Sequence, residues 1–261
     1  MTSTLERIIH SFHDTWRERP EYAGLLLTGS FANDTADEGS DIDLRILYDG
    51  EVSFREMGEC MIDGRCVSFL GMSETAYRAT FQANLATTSK FEIRRFTVGI
   101  VWDDPYGKVY QLKQHAQDLL TQPMLGYGDV ECLHELLILS REYKVFLEMP
   151  AGDVFYSMAY FDLLKNIFQF YTQFLQADIP AYMKKWSRFF EQLTYRQVNH
   201  LTAFPDQQFV DYFLLAAKAV DPSSLKALYN HVVAEAGGLP STDFMARFDE
   251  VEQTADLYEL S

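Results

Sequence analysis

Two aspartates one residue apart, Asp41 and Asp43, and a glycine–serine pair, Gly29-Ser30, are the residues of this chain whose types and spacing could do chemistry. They fall within the stretch Leu25 to Tyr48, LLLTGSFANDTADEGSDIDLRILY. The apolar run Leu25 to Leu27 predicts a short buried strand that breaks at Gly29-Ser30. A polar segment with Gly39-Ser40 follows, and a second strand is expected from Asp41. Alternation along that strand puts Asp41, Asp43 and Arg45 on one face and Ile42, Leu44 and Ile46 on the other. Two carboxylates that close repel each other, and a hard divalent cation is the natural way to keep both ionised. Mg²⁺ keeps most of its waters and binds through one or two carboxylates plus substrate phosphates, which suits such a pair. Gly29 lets the backbone approach a ligand closely, and the Ser30 hydroxyl can donate to a phosphate oxygen. A short helix starting near Ser30 would also leave its first N–H groups unpaired there.

Asp-x-Asp on a strand is usually a solvated face, and Gly-Ser after a strand is usually a turn; together at fixed spacing they are far more specific. Gly29-Ser30-x-Ala32 followed by Ser40-Asp41-Ile42-Asp43-Leu44 resembles the signature of the nucleotidyltransferase superfamily, GSxAxG then SDIDL. That superfamily includes DNA polymerase beta, the aminoglycoside and lincosamide nucleotidyltransferases, and the minimal nucleotidyltransferases of toxin–antitoxin pairs. The resemblance implies two-metal nucleotidyl transfer: Gly29, Ser30 and Ser40 on the nucleoside triphosphate, Asp41 and Asp43 as catalytic residues holding Mg²⁺. It also draws in Lys184 and Lys185, because a similar lysine-containing segment borders the cleft in relatives acting on antibiotics. The chain departs from the pattern in two places. Asn33-Asp34 stands where Arg-Gly is usual, and the third strand, expected over Arg65 to Leu70, has Cys66, Val67 and Ser68 where the family often carries a third carboxylate. Asp63, Glu92, Glu131, Glu135 and Glu142 are all open as a substitute base.

The chain has 261 residues, enough for one large domain or two ordinary ones. Its 48% hydrophobic and 15% aromatic content supports a real core. A net charge of -16 argues against nucleic acid as a partner and is mildly favourable to a cationic small acceptor. No run of 18 apolar residues or charged-then-apolar leader occurs, so no membrane partner and a cytoplasmic location are expected. The odd count of 3 cysteines suits a reducing compartment.

The elements that must position the motif follow from periodicity. Leu5, Ile8, Ile9, Phe12 and Trp16 predict a first helix, ended near Pro20. Ser73 caps a helix to Leu85. Ile100-Val101-Trp102, the turn Asp103 to Gly107 and then Lys108-Val109-Tyr110 resemble a hairpin that closes the family's sheet. Gln122 to Gly128 is the best linker. Beyond it helices are expected over 133–147, 154–175, 180–193, 205–220, from Pro222 to the Gly237-Gly238 stop, and over 241–257. The expected fold is α+β: a nucleotidyltransferase-type mixed sheet flanked by helices over 1–124, and an all-α helical, substrate-binding domain over 125–261, with the active site between them. The expected function is transfer of a nucleoside monophosphate, AMP from ATP, to a hydroxyl of a small acceptor such as an aminoglycoside-like antibiotic. A nucleotide-binding regulatory module without catalysis and an antitoxin-like enzyme acting on a protein partner are the alternatives. A homodimer is left open.

Overall fold

A computed structural model of the chain describes residues 3–50 and 52–239. The architecture is α+β, with a five-stranded mixed sheet in the N-terminal part and helices in the C-terminal part. The strands are β1 (Tyr22–Thr28), β2 (Ile42–Tyr48), β3 (Glu56–Ile62), β4 (Arg65–Ser73) and β5 (Ile100–Asp103), in the spatial order β3-β4-β2-β1-β5. β2 and β4 are parallel; the other pairs are antiparallel.

Both sheet faces are covered. On one side Leu25, Leu27, Ile42, Leu44, Ile46 and Val67 pack against Leu5, Ile8, Ile9 and Phe12 of helix α1 (Ser3–Trp16). On the other, Leu26, Leu47 and Met72 meet Tyr77, Phe81 and Leu85 of α3 (Glu74–Leu85), Ile93 and Phe96 of α4 (Phe91–Val98), and Val109, Leu112, Ala116 and Leu119 of α5 (Lys108–Leu120). A four-residue helix, α2 (Gly29–Ala32), lies between β1 and β2. Each fully buried Leu, Ile or Phe contributes about 1.5–3 kcal/mol, so this double-sided core holds the motif strands rigidly. The isoleucine face of β2 is buried against α1, which turns Asp43 to the opposite face.

Three elements differ from expectation. β2 begins at Ile42, so Asp41 precedes the strand. The Asp103 to Gly107 turn opens α5 rather than a hairpin: the Asp104 carboxylate accepts from the backbone N–H of Val109 at 3.1 Å and Tyr110 at 2.9 Å, capping a helix there. Glu56–Ile62, to which the sequence alone assigns no element, is the edge strand β3. The Ser73 cap is present, its hydroxyl accepting from Ala76 N–H at 3.2 Å.

The chain forms two compact units that interleave, where the sequence divides it once at 124/125. The first comprises the sheet region to Gly126 together with Leu175–Val210. The returning segment is tied to α4 by buried polar contacts. Ser89 Oγ donates to the Ile179 carbonyl at 2.6 Å, and Lys90 N–H donates to Asp178 at 2.9 Å. Arg94, itself buried, pairs with Asp178. The segment carries a turn of 3₁₀ helix (Met183–Lys185), α8 (Trp186–Glu191) and α9 (Leu193–Val198) instead of one helix from Pro180.

The second unit comprises, among the described residues, Tyr127–Phe174 and 211–239. It contains α6 (Asp129–Glu148), α7 (Tyr156–Phe174), the end of α10 (Gln207–Lys218) and α11 (Pro222–Glu235). Many of its aromatic residues are core, though Phe155 and Phe161 are exposed: Tyr143 stacks on Tyr229 with centroids 3.9 Å apart, and Phe168 stacks on Phe213 at 4.6 Å. Asp221 caps α11 through Ser223 N–H and Ser224 N–H, with Pro222 at the first helical position. The helix expected over 241–257 lies outside the described residues. Among those residues no helix is long and apolar enough to cross a membrane.

Candidate active site

The site is built on the corner where β1 ends. Gly29 has φ +69, and a Cβ placed on it would sit 2.1 Å from Asp43 Oδ2. Only glycine allows this backbone to lie against that carboxylate. Thr28 Oγ1 donates to the Asp43 carbonyl at 3.2 Å, fastening the corner to β2 from the other direction. Asp43 Oδ1 accepts from Ser68 Oγ of β4 at 3.2 Å and from Arg95 Nη1 of α4 at 3.0 Å. The Arg95 guanidinium also lies over the Phe91 ring, 4.4 Å from its centroid. Asp43 is thus a carboxylate with fixed orientation, 15% exposed.

A cleft of about 880 Å³ opens over this point, within the first unit. Every site residue expected from the sequence lines it: Gly29, Ser30, Ser40, Asp41, Asp43, Lys184 and Lys185. Their surroundings differ. Ser40 is engaged within its own loop, donating to Asp37 Oδ1 at 2.9 Å while accepting from Asp37 N–H at 2.9 Å. Asp41 is exposed at the mouth of β2. Lys184, Lys185 and Arg188 form a basic edge supplied by the returning segment. Burial, then the charges of Arg188 and Lys184, pull Lys185 below the ordinary lysine value, while Asp37 and Asp41 act the other way. Asn33 Nδ2 donates to Asn199 Oδ1 at 3.2 Å, joining the glycine–serine corner to that segment.

The expected substitute bases are engaged elsewhere. Glu92 forms a bidentate pair with Arg45 at 2.9 and 2.7 Å, their side chains 8% and 6% exposed. Asp63 pairs with Arg7 at 2.8 Å. Glu131, Glu135 and Glu142 belong to the second unit. What the sequence did not single out is Glu59. Strand register sets Asp43 opposite Ser68 and Ser68 opposite Glu59, so the three residues form one row across β2, β4 and β3 on the cleft face. Burial, then the charges of Glu59 and Asp41, raise the Cys66 thiol above its ordinary value. The signal for Glu59 was its alternation with Gly58 and Cys60, legible only once β3 is known to be a strand.

Asp41 and Asp43 are carboxylates of this cleft that could hold an ion of the Mg²⁺ type, for which one or two carboxylates suffice. Among the described residues no group of three or more His, Cys, Asp or Glu side chains could cage a metal on its own.

Residues 9–96 match the family described as "Nucleotidyltransferase domain". That span runs from within α1 through most of α4, including the Gly29 corner, Asp41, Asp43, Glu59, Ser68 and Arg95. Over that third of the chain the sequence is similar to a nucleotidyltransferase domain, and nucleotidyl transfer is the activity such a domain supports. Among solved structures, the nucleotidyltransferase-like protein from Exiguobacterium sibiricum 255-15 is similar at 12% identity over 89% of this chain and 77% of that one, with a TM-score of 0.38. A likeness of that size carries no argument about the site. No curated protein matches the chain.

Proposed function

We infer that the chain transfers a nucleoside monophosphate, AMP from ATP, to a hydroxyl of a small acceptor. The observation that carries this is the seating of Asp43 against the Gly29 corner, in a cleft whose opposite edge is Lys184, Lys185 and Arg188. In this reading Gly29 and Ser30 receive the β- and γ-phosphates, with the Ser30 hydroxyl as donor. The basic edge offsets triphosphate charge, Arg188 adding a planar donor fork to two flexible ammonium groups. Asp41 and Asp43 would hold Mg²⁺, which when bound supplies charge neutralisation on the transferring phosphoryl oxygens. Glu59 takes the acceptor proton: it faces the cleft, pairs with no cation among the described residues, and lies two strands from Asp43, about 10 Å between backbones. Asp37, Asp41 and Glu59 make that side of the cleft acidic, which with a net charge of -16 favours a cationic acceptor of the aminoglycoside kind.

A second reading, a nucleotide-binding module without turnover, is favoured by Ser68 in the row where an acid would be expected and by Arg95 on Asp43. Incubation with nucleoside triphosphates labelled at the α-phosphate, Mg²⁺ and pools of hydroxylated amines separates the two. Label appearing in a small product with wild type and not with Asp41→Asn/Asp43→Asn supports transfer. Label in a protein band points to a protein acceptor. Tight nucleotide binding with no labelled product in any pool favours the module.

A further inference from the structure

Asp43 is closed in on three sides. Ser68 and Arg95 both donate to Oδ1, and Oδ2 lies against the Gly29 corner, where even one added carbon would be 2.1 Å away. The charges around α4 are sorted into pairs. Glu92 takes Arg45, Asp178 takes Arg94, and Asp43 is the one ion-pair partner of Arg95 among the described residues. Arg95 is 17% exposed and its guanidinium rests on Phe91, so it is held at Asp43 rather than sampling solvent. A divalent ion approaching this carboxylate meets a positive charge already in contact with it.

We propose that Arg95 is a built-in counter-cation for Asp43 that keeps divalent ions off this carboxylate until a nucleotide is bound. Without nucleotide, a metal would have to break a charge-assisted contact and then rely on Asp41, which is exposed and hydrated. A triphosphate changes both sides of that competition. It brings the metal on its own oxygens and offers the guanidinium a new acceptor whose geometry it matches, so Arg95 passes from carboxylate to phosphate as the metal passes to Asp43. Arg95 is then a positioning residue that sets the order of binding, nucleotide with or before metal. No bond is made or broken covalently. The exclusion of free metal stands whether or not the chain transfers nucleotides; only the exchange of partners rests on that reading.

The test is Mn²⁺ titration of the nucleotide-free protein, followed by the electron paramagnetic resonance signal of free Mn²⁺. It is run on wild type, Asp43→Asn, Arg95→Gln and Arg95→Gln/Asp43→Asn, with circular dichroism to show each is folded. Wild type and Asp43→Asn are expected to bind Mn²⁺ equally weakly. Arg95→Gln is expected to gain a site about tenfold tighter or more, the scale of one hydrogen bond to a charged group, and to lose it when Asp43 is also changed. Asp43-dependent Mn²⁺ binding in wild type overturns the proposal, as does a folded Arg95→Gln with no gained site. If Arg95→Gln does not fold, the comparison of wild type with Asp43→Asn still decides. Failure of the transfer reading would look different: no variant would bind ATP under any condition, while the Mn²⁺ results stood.

Discussion

Gly29→Ala isolates the contact on which the site is built. Two costs can be worked out. An L-residue held at φ +69 costs about 1–2 kcal/mol through its Cβ. The added carbon would also sit 2.1 Å from Oδ2, 2.9 Å from Cγ and 3.0 Å from Cβ of Asp43, well inside the contact distance of about 3.5–4 Å, so the carboxylate must move. Moving it breaks one or other of the Arg95 and Ser68 hydrogen bonds, about 1.5–3 kcal/mol for a bond to a charged group. The expected total is about 2.5–5 kcal/mol, a large share of a typical stability of about 5–15 kcal/mol. Urea denaturation of Gly29→Ala, Asp43→Ala and the double variant measures it as a cycle. In the Asp43→Ala background Gly29→Ala should cost only the backbone part, about 1–2 kcal/mol. An equal cost in both backgrounds, or a cost under about 0.5 kcal/mol in wild type, would refute the reasoning, because the glycine would then not be there for the carboxylate.

Glu92→Ala should destabilise the fold by about 3–5 kcal/mol in chemical denaturation by leaving Arg45 buried and unpaired, while Arg45→Met/Glu92→Leu should recover most of that loss. Because Lys185 is held below the ordinary lysine value, ATP affinity should fall as pH rises toward, but before reaching, the usual lysine range; Lys185→Arg should retain affinity there, as isothermal titration would show. Stability runs the opposite way in that window, since the unfolded chain binds the proton that folded Lys185 has lost, so wild type should gain stability with rising pH where Lys185→Met does not. Glu59→Gln should lower the rate of transfer by on the order of 10²–10⁴ with little change in ATP affinity, the signature of a lost base; an unchanged rate would remove Glu59 from the mechanism.

Much of the site is local and so was legible in the sequence. Gly29, Ser30, Asp41 and Asp43 lie in or beside the connection between two adjacent strands, and the apolar runs around them fix β1 and β2. The rest depends on partners distant in sequence. β3 has Gly58 at its middle, which weakens the strand pattern, yet that glycine pairs with Phe69 of β4, and a Cβ there would come to 3.0 Å from the ring. Glu59 inherits its place from that pairing. Arg95 reads as one charge among several on a helix, and its contact with Asp43 spans 52 positions. Asp41 was placed in the strand by alternation, but pairing with β4 begins at Ile42, so the rule of faces does not reach it. The return of 175–210 to the first unit is fixed by Ser89, Lys90 and Arg94 meeting Asp178 and Ile179, polar contacts that no periodicity encodes.

The central claim is that Asp43, seated on the Gly29 corner, belongs to a site for a metal-bearing nucleotide. It is tested most directly by thermal unfolding of wild type and Asp43→Asn with ATP and Mg²⁺, ATP alone and Mg²⁺ alone. Ligand at about 100 times its dissociation constant should stabilise the fold by roughly 2.7 kcal/mol. The account predicts that shift in wild type with ATP and Mg²⁺ together, none with Mg²⁺ alone, and its loss in Asp43→Asn. An equal shift in wild type and Asp43→Asn, or none with any nucleotide in folded protein, would contradict it.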